Sequence, residues 1–303
     1  MAISSTTTCR KSSARLSLRG RQGQLSARPS AGATILPLAL LLASLSGCIN
    51  PVGRSLYEPA PLGSTTPAWT ARVPQLVDTT TKDGVRLQGW FWPPETADGA
   101  VLVYLPGRAG NRDVAATAAQ AFAQDGHGLL VASYRGYGDN PGTPDERGLY
   151  QDGRAFVDLA KRLVPNGKHF VFGDGLGSAV ALNVAANVAD DTSVGPEIDA
   201  VVTLGAFDSF ARFVPGMERG LYSAAFDNVA AISRVKVPVL LMHGRKDEVV
   251  PFAAAERLRA AAGGKAIVVP IDGEAYHSFD LRHIAPVVWR ALDQIAAEQA
   301  ATN

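Results

Sequence analysis

The 303-residue chain has only two cysteines, Cys9 and Cys48, and no acidic residue before Glu58. Both cysteines lie near the front, so a domain folding beyond Cys48 has no pair for an internal disulfide and must rely on its core. Charged residues make up 19% of the chain and the net charge is +1, which excludes a polybasic nucleic-acid binder and an acidic disordered chain alike. Gly173-Asp174-Gly175-Leu176-Gly177 lacks the Gly-x-Gly-x-x-Gly spacing and the lysine of a phosphate loop, so nucleotide binding is not expected. His127, His169, His243 and His283 are scattered without metal-ligand spacing, and neither a metal nor a cofactor is expected. What the chain does have is apolar mass. Hydrophobic residues reach 47%, with 30 Gly and 19 Pro in ordinary proportion, enough for a globular core.

The charge is unevenly distributed. Arg10, Lys11, Arg15, Arg19, Arg21 and Arg28 precede an apolar run from Ala33 to Gly47, which is interrupted at Pro37 and shorter than the ~20 residues of a bilayer span. This order reads as a signal peptide. Its end, Leu45-Ser46-Gly47-Cys48, resembles the lipobox of bacterial lipoproteins. That resemblance implies acylation of Cys48, cleavage just before it, and a lipid bilayer as partner. Residues 1–47 are then the leader, 48–72 a Pro-, Gly-, Ser- and Thr-rich tether, and 73–303 the exported domain. The leader removes six of the 29 basic side chains and none of the 28 acidic ones, leaving a net charge of −5, so nucleic acid is not an expected partner. Ile49 after the cysteine, in place of an aspartate retention signal, points to the outer membrane with the domain facing the periplasm.

From Val73 onward, short β-rich runs alternate with Ala-rich helical patterns. Gln75–Thr81 and Val85–Trp92 flank Asp83-Gly84, the signature of a tight hairpin. Further strands are expected at Ala100–Leu105, Leu129–Ser133, Lys168–Phe172, Ala200–Leu204, Val237–His243 and Ala266–Ile271. Helices are expected at Asp113–Gln124, with Val114, Ala118, Ala121 and Phe122 on one face, and at Asp145–Val164, with Leu149, Phe156, Ala160 and Leu163 together. Leu176–Val188, Phe252–Ala262 and Asp280–Ala296 complete the set. Alternation of this kind predicts an α/β fold: a mostly parallel central sheet, helices on both faces, and an N-terminal antiparallel hairpin.

Ligands of such sheets meet the loops at the carboxyl ends of the strands. Those loops are Leu105-Pro106-Gly107-Arg108-Ala109-Gly110-Asn111, Tyr134-Arg135-Gly136-Tyr137-Gly138-Asp139, Phe172-Gly173-Asp174-Gly175-Leu176-Gly177-Ser178, Gly244-Arg245-Lys246-Asp247 and Tyr276-His277-Ser278. In this order and on these elements they resemble an α/β-hydrolase of the serine aminopeptidase and abhydrolase-domain branch, over about residues 75–296. The resemblance implies Asp247 as triad acid, His277 as triad base, and the backbone N–H groups of Arg108 and Leu176 as oxyanion donors. Relatives usually carry His-Gly where this chain has Pro106-Gly107.

A second departure is larger. The family pattern at the nucleophile elbow is Gly-x-Ser-x-Gly, and here the central position is Gly175. Glycine avoids the strain, of order 1–3 kcal/mol, that the elbow imposes on other residues, but it has no reactive oxygen. Asp174 and Ser178 are the neighbours that could substitute, and a water activated by His277 is a third route. The bland alternatives are a helix-start carboxylate at Asp174 and a hydroxyl carried away along the helix at Ser178. Residues 205–235, with Phe207, Phe210, Phe213, Met217, Leu221, Tyr222 and Phe226, fall where the family inserts a cap, and they either pack that excursion down or line a ligand site. The expectation is a membrane-anchored protein of hydrolase fold with impaired or lost serine-hydrolase activity. It would bind a small molecule, a peptide or an envelope partner; the alternative is a hydrolase of ester, amide or peptide bonds by a non-serine route.

Overall fold

The computed structural model describes residues 56–65, 67–70, 72–188, 198–213, 225–272 and 280–302. The expected leader, Cys48, His277 and the middle of the cap-like excursion at 214–224 lie outside the described residues.

Eight strands form the main sheet: β2 (Gln75–Thr80), β3 (Arg86–Trp92), β4 (Val101–Leu105), β6 (Gly128–Val131), β7 (His169–Asp174), β8 (Ala200–Leu204), β9 (Val239–Gly244) and β10 (Ala266–Ile271). Their spatial order is β10-β9-β8-β7-β4-β6-β3-β2. β2 pairs antiparallel with β3 and β3 antiparallel with β6, while every other pairing is parallel. Two short strands, β1 (Glu58–Pro59) and β5 (Ala109–Gly110), form a separate parallel pair. The helices are α1 (Arg112–Ala119), α2 (Glu146–Leu163), α3 (Leu176–Val188), α4 (Asn228–Arg234), α5 (Ala253–Ala261) and α6 (Leu281–Thr302).

Central strands read as unbroken apolar runs because both of their faces are covered. On β4, Val101, Val103 and Leu105 enter one core while Leu102 and Tyr104 enter the other; on β7, Val171 divides in the same way from Phe170 and Phe172. The first core is closed by α2, α3, α4 and α5, the second by α1 and α6. The expected doubly covered sheet with its antiparallel lead is therefore the observed fold.

Three local expectations differ. α1 buries Arg112, Ala115, Ala116 and Ala119, whereas Val114 is 58% exposed. The reason is that the Arg112 stem lies inward while its head pairs with Asp139, which rotates the buried face away from Val114. Leu163, expected inward, ends α2 at the surface. Finally, the tether expected over 48–72 is not free over its described part. Glu58 donates its N–H to the Arg108 carbonyl at 2.8 Å, Ala60 to that of Gly110 at 2.8 Å, and the Asn111 amide donates to Pro61 O at 2.7 Å.

The polar frame of the carboxyl edge is an ion network. Arg135, buried, donates to both Asp83 and Asp152, and its own N–H reaches Asp152 Oδ2 at 2.8 Å, tying the hairpin turn, the loop after β6 and α2 together. The guanidinium and the Thr81 hydroxyl hold the Asp83 carboxyl down at about 2; burial pushes Asp152 up against the pull of the same arginine.

Candidate active site

β7 ends at Asp174, Gly175 turns the chain, and α3 begins at Leu176. Gly175 has φ +52°, in the left-handed region that glycine enters without penalty. The turn is braced by Gly175 N–H to Leu204 O at 2.9 Å and Ser178 N–H to Gly175 O at 3.0 Å. Gly173 and Gly177 are required by packing. A Cβ on Gly177 would stand 2.0 Å from Leu105 O, and one on Gly173 would stand 2.4 Å from Gly177 O. Helix and strand thus approach so closely that only hydrogen fits at either flank, which is the geometry of a tight elbow.

Ser178 is fully buried, and its hydroxyl donates back to Gly173 O at 2.8 Å. It faces the strand end rather than the loops. Asp174 is half-buried and accepts from the Tyr104 hydroxyl at 2.8 Å, with the Tyr104 ring stacked on Phe172. Leu176 is the first residue of α3, so its N–H has no intrahelical acceptor.

The loop after β4 runs beside this turn: Gly107 lies against the Asp174 carbonyl, a Cβ there falling 3.6 Å from it. Two tyrosines fix its shape, Tyr134 donating to Pro106 O at 3.1 Å and Tyr137 to Arg108 O at 2.6 Å. Burial raises both phenols above their ordinary range, so each stays a donor. The Arg108 carbonyl also accepts from Glu58 N–H, and the Arg108 side chain pairs with Glu58 at 2.7 Å. The loop sequence Tyr134-Arg135-Gly136-Tyr137 was visible as unusual, but nothing in the sequence around Glu58 signalled that it would pair there.

Asp247 lies in the loop after β9 with its side chain fully buried. Oδ1 accepts from the N–H groups of Val249 at 2.9 Å and Val250 at 2.8 Å, an Asx-type turn. Oδ2 is buried and has no hydrogen-bond partner among the described residues. His243 Nε2 stands 3.7 Å from it but bonds to Val250 O at 2.7 Å, which makes His243 a brace for the loop. A carboxylate oxygen left in this state is costly, and it marks the side on which a donor would be accommodated.

In the excursion, Phe207, Phe210 and Phe226 are buried within the first core, while Phe213 is 41% exposed. Met217, Leu221 and Tyr222 lie outside the described residues. Among the described residues no group of three or more His, Cys, Asp or Glu could hold a metal ion.

Comparison with known proteins places this geometry. The family described as the alpha/beta hydrolase fold matches residues 100–232. The protein YfhR of Escherichia coli O157:H7 is 31% identical over 239 residues, 75% of this chain and 79% of that one. A protein of Mycobacterium tuberculosis, MT2364, is 33% identical over 209 residues, 66% and 72% of the two chains. The lysophosphatidylserine lipase ABHD12 of Danio rerio is 25% identical over 189 residues, 56% of this chain and 49% of that one. Among solved structures, the Pyrococcus furiosus esterase Pf2001 superposes with a TM-score of 0.58 at 17% identity, covering 80% of this chain and 96% of that one.

Proposed function

We infer that this chain, which belongs to the α/β-hydrolase family, is a lipid-anchored member that uses the family's cradle for binding and has little or no serine-hydrolase activity. The reading rests chiefly on Gly175 at the apex of a turn whose two flanking glycines leave no room for a Cβ. In a triad enzyme, loss of the serine lowers turnover on the order of a millionfold. Ser178 is a poor substitute because its hydroxyl is turned to Gly173 O, and Asp174 stands one residue before the apex. The ligand on this reading is a small molecule or peptide held by the loops after β4, β7 and β9, with the Leu176 N–H and the loop of Arg108 available to an anionic or carbonyl group. The anchor is proposed at Cys48, with the domain exported and the outer membrane as its site.

Asp247 Oδ2, which has no hydrogen-bond partner among the described residues, favours a second reading. An imidazole at His277 bonded to that oxygen would have the tautomer and basicity to activate water, giving slow general-base hydrolysis of an ester, amide or peptide without an acyl-enzyme.

Reaction with a fluorophosphonate probe and hydrolysis of a short acyl ester discriminate between them. Neither should occur on the binding reading, and Gly175→Ser should raise ester hydrolysis by several orders of magnitude. Covalent labelling of the natural chain would overturn the reading; ester hydrolysis that disappears in His277→Ala would establish the water route instead.

A further inference from the structure

We propose that the outer face of α2, with the adjoining hairpin turn, docks on an anionic phospholipid surface; the proposal rests on the lipid-anchored reading above. Arg147, Gln151, Arg154, Asp158 and Lys161 recur at helical spacing along one stripe of α2, and Arg162 flanks it. The only acid on this stripe, Asp158, is already paired with Arg154 at 2.9 Å. Lys82, at the tip of the β2–β3 turn, extends the stripe, and Lys82 and Arg147 are exposed with no ion-pair partner among the described residues. Between hairpin, α2 and α3 lies a cleft of about 580 Å³, whose lining includes Lys82, Arg147, Tyr150, Arg154 and Asn183 together with the paired Asp158. That volume suits a headgroup-sized anion.

The neighbouring acids are committed elsewhere. Asp145 caps α2 through Gly148 N–H, Glu146 accepts from the Tyr150 hydroxyl and Phe226 N–H, and Asp83 and Asp152 hold Arg135. A basic stripe on a domain whose processed form carries −5 is therefore a local feature and not a reflection of overall charge.

The path of the chain argues for a membrane as the occupant. Its first described residues pack at the amino end of α2: Leu56 and Tyr57 join the first core, and Tyr57 sits close enough to Glu146 and Asp145 that they reinforce the burial raising its phenol. Seven residues lie between Cys48 and Leu56, a span of at most about 27 Å when fully extended, and the 18-residue α2 is itself about 27 Å long. An acyl group on Cys48 would therefore hold the bilayer surface within reach of the whole stripe.

The test uses the lipidated full-length product in vesicles, reading by mass spectrometry how fast Lys82 and Lys161 are acylated by a water-soluble reagent, with Lys265 on the β10 side as internal control. In vesicles containing phosphatidylglycerol both should react about tenfold more slowly than in phosphatidylcholine alone, and 0.5 M salt should restore the rate. Arg147→Glu should reverse at least about fivefold of that protection, the effect of roughly one basic residue at an anionic surface. Equal rates in the two vesicles, or the same protection from inorganic phosphate with phosphatidylcholine vesicles, would overturn membrane docking. Absence of an acyl group on Cys48 would overturn the anchored reading beneath it, an outcome that the same spectra distinguish.

Discussion

The turn after β7 and the loop after β9 stand on the same edge of one sheet, yet they are in opposite energetic states. The first is relaxed: Gly175 takes φ +52° without a side chain to strain, and the Gly175 N–H, the Ser178 N–H and the Ser178 hydroxyl are all bonded. The second carries a burden, a buried carboxylate with two donors on one oxygen and, among the described residues, none on the other. Among the described residues, then, the acid loop keeps a buried acceptor with no donor on it.

Substitutions can break this contrast. The largest effect is expected from Gly177→Ala, whose Cβ meets Leu105 O at 2.0 Å; the elbow has to open, and chemical denaturation should show a loss of about 3 kcal/mol or more. Asp247→Ala leaves the buried Val250 N–H and the partly buried Val249 N–H without an acceptor, costing about 1–3 kcal/mol, whereas Asp247→Asn keeps an acceptor for them and should cost less. If the two variants prove equally destabilising, the charge itself, and hence a cationic partner, matters more than the turn. Gly175→Ala should cost about 1–2 kcal/mol through left-handed backbone strain alone, the reverse of what an ordinary helix-proximal glycine would give.

The smallest effect is a pH dependence away from both loops. Burial lowers the pKa of His127, stacked 3.8 Å from Trp289, and of His169 below the ordinary 6.5. Both are therefore held neutral in the folded state. Their contribution is full above pH 6.5 and is lost as pH falls towards the depressed values, so the thermal midpoint should decline over that range. His127→Gln should flatten part of the decline while leaving the elbow and acid loop unchanged.

Much of this architecture was legible because the central strands are buried on both sides, and runs such as Val101–Leu105 and Ala200–Leu204 announce that in composition alone. The elbow was legible too, since close helix–strand contact demands glycine at 173 and 177. The face of α1 was not, because hydropathy counts an arginine as outward and misses a stem that packs inward. Nor was the pairing of Glu58–Pro59 with Ala109–Gly110, whose bonds are backbone to backbone and leave no mark on side-chain periodicity. Which atoms surround the buried Asp247 Oδ2 is likewise something that no spacing rule encodes.

The Glu58–Pro59 strap is no part of the main sheet; a few hydrogen bonds and one exposed ion pair hold it on the Arg108–Gly110 segment, and the preceding Leu56 and Tyr57 pack against the first core. It can peel off like a strip of tape while all eight strands stay joined. Tension arriving along the chain from its front would accordingly be met first by Leu56 and Tyr57 against the first core and next by the grip on the Arg108 carbonyl, which turns this stretch into the mechanical fuse of the domain.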